Sequence, residues 1–247
     1  MNTYFLTTFN KELFDEYVED NFFKTYIETN QTVPLVCYVE EDDFSIYPQH
    51  PNITYYNLFK ETPEILNFID RNKDRPVPGY RYDAIRFAYK VYAQYAGRNL
   101  GKRQVFIDAD CVFLKQIPEK WFDDFIEDKD FAYYPRPEYY SETGFVMYNC
   151  ESKTTQKFFE SFVEMYNTDR IYTVRTQNDS VIFDVVMSFF PNRTEKLHGP
   201  GDNLDLKYHR HVMARCPVLS PYIDHKKGDR KFMKHSPELI VGGMKNA

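Results

Sequence analysis

Two aspartates, Asp108 and Asp110, interrupt the otherwise apolar run VFIDADCVFL. An unpaired carboxylate in an apolar environment is costly, so these residues require a partner. Side chains alternate along a strand, and the two carboxylates can therefore face the same side. A Mg²⁺ or Mn²⁺ ion between them would compensate their charge and hold a diphosphate. The structural alternative is a turn cap beside a solvated aspartate, which the flanking apolar residues disfavour.

A helix is predicted just upstream, in the stretch YDAIRFAYKVYAQYAG, and it carries Asp83, Arg86 and Lys90. Arg86 and Lys90 are four residues apart and lie on one face of such a helix. In isolation these charges would be interpreted as a solvated face with an ion pair. The helix directly precedes the D-x-D, which makes a position beside the same site an equally good interpretation.

A basic stretch near the C-terminus, HKKGDRK, places His225, Gly228 and Lys231 in an H-x-x-G-x-x-K spacing. An imidazole beside two carboxylates favours Mn²⁺ over Mg²⁺. A glycine lets backbone N–H groups approach phosphate oxygens, and a lysine stabilises the charge on a departing diphosphate. The alternative is a solvated basic tail or a nucleic-acid patch, which would leave the D-x-D without its partner.

In this order the D-x-x-R helix, the D-x-D and the H-x-x-G-x-x-K stretch resemble the motifs of metal-dependent glycosyltransferases of the GT-A fold. The resemblance implies a UDP-hexose donor and Mn²⁺, with Mg²⁺ as the alternative, bound by Asp108, Asp110 and His225. It also implies a larger set of residues that bind the donor or its nucleotide: Thr7, Thr8, Phe9, Asp83, Arg86, Lys90, Asp108, Ala109, Asp110, Gly228 and Lys231.

The sequence departs from this family at two points. The usual double glycine before the D-x-D strand is replaced by the separated Gly97 and Gly101. Phe232-Met233 stands where the family usually has Pro-Trp after the lysine. The C-terminal motif is typical of retaining members, so the resemblance favours retention over inversion.

Two acidic residues are the predicted catalytic groups, Glu142 in YSETGFVMYN and Asp179 in TQNDSVIFDVV. By the same resemblance, Glu142 lies on the acceptor side and Asp179 faces the sugar. An inverting enzyme needs a carboxylate that deprotonates the acceptor. Asp179 is also a good helix-capping residue, and the two roles are compatible. His198 in HGPGD is a further candidate, which its spacing does not single out.

Three other classes compete with this interpretation. Haloacid-dehalogenase-like phosphatases also place D-x-D after a strand, but near the chain start, and the later acid pair here, Asp123–Asp124, lies in a predicted helix. Sugar-phosphate nucleotidyltransferases usually have a glycine-rich loop after the first strand, and TTFNKELF has no glycine. A non-catalytic nucleotide-sugar-binding protein on the same scaffold remains the third.

The elements that must position these residues alternate between strands and helices. Strands are predicted at 3–9, 32–40, 52–58, 104–108, 131–135 and 141–150, and helices at 11–28, 61–72, 80–96, 118–126, 152–167 and 176–190. Residues 191–247 are predicted as loops packed over the core. This order predicts an α/β fold with a mixed, mostly parallel sheet flanked by helices. We expect one GT-A-like domain over 1–247, with a nucleotide-binding part at about 1–115 and an acceptor-binding part at about 116–247.

The composition and net charge of the chain exclude some classes of protein. The chain has 247 residues and a formal net charge of −6, which argues against a nucleic-acid partner. Aromatic residues make up 18%, more than a sugar-binding groove would use, so most are expected in the core. No signal peptide or membrane span is visible, and four isolated cysteines suit free thiols, so we expect a cytoplasmic protein. The acceptor (glycan, lipid or protein) and the oligomeric state stay open.

Overall fold

The apolar runs of the sequence form the strands of one twisted sheet and of a small two-stranded ribbon. A computed structural model describes residues 2–136, 139–190, 194–197 and 211–239. The strands are β1 (Thr3–Thr8), β2 (Leu35–Val39), β3 (Ile53–Asn57), β4 (Arg103–Ile107), β5 (Cys111–Phe113), β6 (Phe131–Tyr134), β7 (Glu142–Asn149), β8 (Thr194–Lys196) and β9 (Ile223–His225). Seven of them form a sheet in the order β3-β2-β1-β4-β7-β6-β8, and β5 pairs with β9.

The sheet is mixed and mostly parallel, as predicted. The pairs β3–β2, β2–β1, β1–β4 and β6–β8 are parallel, whereas β7 runs antiparallel to both β4 and β6. The parallel strands β1, β2 and β4 therefore end at the same edge, and ligands bind at that edge in open α/β sheets.

Helices cover both faces of the sheet. They are α1 (Lys11–Leu13), α2 (Lys24–Glu28), α3 (Leu58–Glu61), α4 (Glu64–Asn72), α5 (Ala84–Gly97), α6 (Glu119–Ile126), α7 (Lys153–Asn167), α8 (Asp179–Met187) and α9 (Val212–Arg215). A π-helix, Phe14–Phe23, joins α1 to α2 into one helical segment. No helix within the described ranges combines the length and apolar composition that crossing a membrane requires.

Two aromatic-rich cores lie on opposite faces of the sheet because side chains alternate along each strand. In β1, Phe5 packs with the π-helix and α6, whereas Tyr4 and Leu6 pack with α5, α7 and α8. Seven tyrosines are among the largest fully buried side chains: Tyr4, Tyr26, Tyr38, Tyr92, Tyr134, Tyr148 and Tyr166. Most of these rings thus serve packing, as the composition suggested. The four cysteines are buried free thiols, as predicted.

The structure differs from the predicted elements mainly in the last part of the chain. Residues 191–247 were expected to be loops, yet β8 joins the sheet edge and β9 pairs with β5. Both strands are three residues long, too short to show a periodic pattern, and their partners are distant in sequence. Upstream, the helix expected at 80–96 begins at Ala84, after a 3-10 turn at Tyr80–Tyr82.

Candidate active site

The D-x-D lies in a tight turn between β4 and β5. Strand β4 ends at Ile107, and the Asp108 N–H donates to the carbonyl of Gly144 on β7 (2.9 Å). The Cys111 N–H then donates back to the Asp108 carbonyl (3.0 Å), which closes the turn. The motif therefore sits at the carboxyl end of a buried parallel strand, where the sequence placed it.

Strand β9 brings His225 to this turn. Its register sets His225 opposite Cys111, and the Lys226 N–H donates to the Asp110 carbonyl (3.0 Å). The His225 Nε2 atom lies 2.8 Å from Asp110 Oδ1 and 3.6 Å from Asp108 Oδ2. Two motifs more than a hundred positions apart thus converge on one point.

His225 belongs to two groups of candidate metal ligands, one with Asp110 and Cys111 and one with Asp108 and Glu142. Two cis ligands of an octahedral ion stand about 3 Å apart when the metal–oxygen distance is about 2.1 Å. The distances from His225 Nε2 to the two aspartates bracket that value. Within each group, one donor atom from each residue lies within 4.8 Å of the others.

Gly144 makes room for this cluster. A Cβ atom at this position would lie 2.5 Å from His225 Cε1 and 2.9 Å from Asp108 Oδ2. Both contacts are shorter than real Cβ atoms tolerate, so the imidazole or the carboxylate would have to move. From the sequence, Gly144 is only the residue through which a predicted strand is entered, because a close approach between side chains of distant segments leaves no local signal.

Lys90 bridges two carboxylates at the base of the site. Its ammonium lies 2.8 Å from Asp108 Oδ1 and 2.7 Å from Asp179 Oδ2. Burial would lower the pKa of Lys90, but the two carboxylates outweigh burial and raise that pKa above its usual value. Burial raises the pKa of Asp108, whereas His225 outweighs burial at Asp110 and lowers its pKa. The two aspartates therefore differ in acidity, since the pKa of Asp108 is raised and that of Asp110 is lowered.

Asp179 is free of the capping role that the sequence left open. Asn178 caps α8, since its side chain accepts from the Val181 N–H (3.0 Å). The Asp179 carboxylate accepts from the Thr143 hydroxyl (2.6 Å) as well as from Lys90. Burial alone would raise the Asp179 pKa, but Lys90 outweighs it and lowers that pKa. Asp179 is an anion directed at the same pocket as the D-x-D.

A cleft of about 680 Å³ opens above these groups. It is lined by ten of the predicted site residues: Thr8, Phe9, Asp83, Arg86, Lys90, Asp108, Ala109, Asp110, Asp179 and Lys231. Most come from the first 115 residues, the predicted nucleotide-binding part. Asp83 caps α5 by accepting from the Arg86 N–H (3.1 Å), and the Arg86 guanidinium stands over the Tyr80 ring at 4.9 Å. Lys90, rather than Arg86, contacts the D-x-D.

Lys231 reaches the cleft from the C-terminal motif. Its ammonium stands 4.0 Å from the centre of the Tyr17 ring and 3.9 Å from Asp110 Oδ2. Tyr17 is supplied by the π-helix, a conformation often found at functional sites. Gly228 has a φ of 59°, in the left-handed region, and lets the chain turn ahead of Lys231.

Four predicted residues are not among those that line the cleft: Thr7, Glu142, His225 and Gly228. The Thr7 side chain is fully buried beneath the sheet edge, whereas Thr8 is partly exposed and donates to the Tyr38 carbonyl (2.9 Å). Gly228 is exposed on the C-terminal segment. His198 and the rest of HGPGD lie outside the described residues.

Glu142 is buried behind His225. Its carboxylate forms an ion pair with Lys227 (2.7 Å), and one oxygen lies 3.7 Å from His225 Nδ1. Burial alone would raise the Glu142 pKa, but Lys227, His225 and Arg136 outweigh it and hold that pKa below its usual range. This position suits a group that supports the histidine better than one that contacts an acceptor.

Several cleft residues were not found from the sequence. Tyr17, Tyr80 and Glu40 line the cleft. Glu40 directly follows β2, at the same sheet edge as the D-x-D, and this placement is the signal that could have identified it. Tyr17 and Tyr80 had no such signal among the many tyrosines of the chain.

The fold is shared with solved glycosyltransferase structures, although no protein-family model and no curated protein matches the chain. The apo form of mouse xyloside xylosyltransferase 1 aligns with a TM-score of 0.54 and 12% identity, over 80% of this chain and 86% of that one. The glycosyltransferase GlyE of Streptococcus pneumoniae TIGR4 aligns with a TM-score of 0.53 and 8% identity, over 80% and 46% of the two chains. The bifunctional glycosyltransferase WbbM aligns with a TM-score of 0.52 and 13% identity, over 92% and 46%.

The three neighbours differ in how much of their own length this chain covers. This chain spans less than half of the GlyE and WbbM chains and most of the xylosyltransferase chain. Identities of this size establish a common architecture and no more. The chain therefore has the mixed, mostly parallel, helix-flanked fold found in these glycosyltransferases.

Proposed function

We propose that the protein is a glycosyltransferase that moves a hexose from a nucleotide-diphosphate sugar, with UDP-hexose as the favoured donor, to an acceptor hydroxyl. One observation carries the proposal. His225 Nε2 lies beside both aspartates of the D-x-D, which line the cleft. His225 Nε2 lies 2.8 Å from Asp110 Oδ1, and a cation shared by these side chains would place positive charge where a diphosphate needs it.

Asp108, Asp110 and His225 would hold Mn²⁺, with Mg²⁺ as the alternative. The ion would supply positive charge to the donor diphosphate, and the donor set supports this assignment. Lys231, already in the cleft, would add a second positive charge on the departing nucleoside diphosphate. Its contact with the Tyr17 ring restricts the ammonium to the D-x-D side.

Asp179 and Lys90 would act on the sugar. In the transfer, the bond from the anomeric carbon to the diphosphate oxygen breaks, and the acceptor oxygen bonds to that carbon. The acceptor proton leaves with the nucleoside diphosphate. Positive charge grows on the sugar as the bond breaks, and an ionised carboxylate such as Asp179 stabilises that charge.

The stereochemical outcome favoured by this site is retention. Inversion requires a carboxylate that can take the acceptor proton. Glu142 is buried and paired with Lys227, and Asp179 is paired with Lys90. Both anions are thus weak bases, which supports retention with the departing diphosphate accepting the proton.

The proposal is tested by measuring nucleotide release from a panel of UDP-, GDP- and ADP-hexoses with Mn²⁺ present. We expect UDP release from at least one UDP-hexose, even as slow hydrolysis, and its loss in Asp110→Asn. Binding of UDP-hexoses without any release would mean a non-catalytic binding protein. Release of pyrophosphate from a nucleoside triphosphate and a hexose phosphate would instead mean a nucleotidyltransferase.

A further inference from the structure

A second groove, of about 340 Å³, adjoins the main cleft. The two share Asp83 and Ile85 at the start of α5, so a ligand in the groove would border a donor in the cleft. The groove also extends to Gln177, two residues before Asp179. The groove therefore reaches the start of α8, the helix that carries Asp179.

The walls of this groove come from two segments that are joined to each other. One wall belongs to the loop between α4 and α5 and includes Pro76, Pro78 and Tyr82, and the other includes Tyr172 and Gln177. The Gln177 N–H donates to the carbonyl of Arg81 in that loop (2.9 Å). Residues 73–82 are all exposed, so this apolar and aromatic lining is open to solvent.

Two neighbours hold the Arg75 side chain at the groove. Its guanidinium lies 3.9 Å from the centre of the Tyr172 ring, and its Nε donates to Asn72 Oδ1 (2.6 Å). Asn72 is itself 2% exposed and donates to Asp169 Oδ1 (2.9 Å). The arginine is thus held in one orientation by a buried amide and an aromatic plane.

Arg75 acts on the Tyr172 ring and, at longer range, on Asp169, but its guanidinium forms no ion pair among the described residues. Asp169, the neighbouring carboxylate, forms its ion pair with Arg71 (3.3 Å). Across the described ranges, no carboxylate lies within ion-pair distance of the Arg75 guanidinium. Its terminal nitrogens carry donors suited to a planar oxyanion.

The local charge balance agrees with an anionic ligand. Residues 73–86 contain four cations, Lys73, Arg75, Arg81 and Arg86, and two carboxylates, Asp74 and Asp83, which is a net +2 within a chain of net charge −6. A positive segment in an acidic protein attracts anions to its own surface.

We infer that this groove binds the acceptor, although most of its lining comes from residues 72–85 rather than from the predicted acceptor-binding part, and that the acceptor is a saccharide bearing an oxyanion, either a carboxylate or a phosphate, which Arg75 engages. This inference rests on the proposed function, because an acceptor requires a donor in the adjoining cleft. The proline and tyrosine walls would contact the sugar ring. Arg75 selects the acceptor and has no part in bond breaking.

The test uses small saccharides as probes in the presence of UDP and Mn²⁺. Saturation-transfer NMR titrations compare methyl β-glucuronide and glucose 6-phosphate with uncharged methyl β-glucoside. We expect at least one charged sugar to bind about five-fold or more tightly than the glucoside, in keeping with a charge-assisted hydrogen bond. The sugar that binds more tightly distinguishes a carboxylate from a phosphate acceptor.

Arg75→Gln should abolish this preference while Mn²⁺-dependent UDP binding is unchanged. Arg98→Gln is the matched control, since Arg98 also stacks on a tyrosine, Tyr95, at 3.6 Å but lines neither pocket. Equal affinities for all three sugars, no binding of any, or a preference that survives Arg75→Gln would overturn the inference. A normal preference with no UDP binding would instead contradict the proposed donor.

Discussion

At the residue scale, the proposed cation site depends on the close packing of Gly144 against His225 and Asp108. The absence of one Cβ atom lets β7 pass beneath the imidazole, and the imidazole can then reach both aspartates. The D-x-D itself could be identified from the sequence, because two anions in an apolar run demand an explanation. The role of Gly144 could not, since it depends on segments that meet only in three dimensions.

Gly144→Ala should therefore damage the site more than the fold. The added methyl group must displace His225 or Asp108, so Mn²⁺-dependent UDP affinity should fall about ten-fold or more. Isothermal titration calorimetry of UDP in Mn²⁺ measures this directly. Gly79→Ala is the control, because a Cβ there has no atom within 4 Å. Wild-type affinity in Gly144→Ala would show that the cluster is not the cation site.

At the element scale, the three-residue strand β9 and the residues after it connect the C-terminal motif to the sheet. Its pairing with β5 positions His225, and the Lys227–Glu142 ion pair fastens the next turn to β7. The long helices and strands were predictable from periodicity. Strand β9 was not, because its partner lies more than a hundred residues away and each strand is too short for a pattern.

Removing Lys227 or removing Glu142 from their ion pair should change the free energy of unfolding by different amounts. Lys227→Met leaves a buried carboxylate without its main partner and should cost about 2 kcal/mol at pH 7, a value reduced because Lys227 is partly exposed. Glu142→Gln should cost less, because the freed lysine can extend into water. Urea unfolding of both variants and the double variant measures these differences.

The same pair predicts a pH dependence with a definite sign. The folded pKa of Glu142 is lowered, so its contribution is present above the unfolded value of about 4.3 and is lost as pH falls below it. The loss of unfolding free energy in Lys227→Met relative to wild type should therefore become smaller as the pH is lowered from about 6 to about 3, a range that spans the unfolded pKa of a glutamate. A stability difference between the variant and wild type that does not change with pH would contradict a lowered pKa of Glu142.

At the scale of the whole molecule, side chains from both halves of the chain meet at one edge of the sheet. The first half supplies the cleft and the D-x-D, and the second half supplies Asp179, His225 and Lys231. The fold class followed from the alternation of strands and helices. The second groove at Arg75 did not, because its segment looked like an ordinary proline-containing loop.

We propose that Asp108, Asp110 and His225 form a cation site on which binding of a nucleoside diphosphate depends. Its most direct test is the thermal unfolding midpoint of the protein with UDP alone, Mn²⁺ alone, both together, and UDP with EDTA. Ligands that bind the folded state stabilise it by mass action. We predict a clear rise in Tm only with UDP and Mn²⁺ together. An equal rise with UDP and EDTA would contradict the claim.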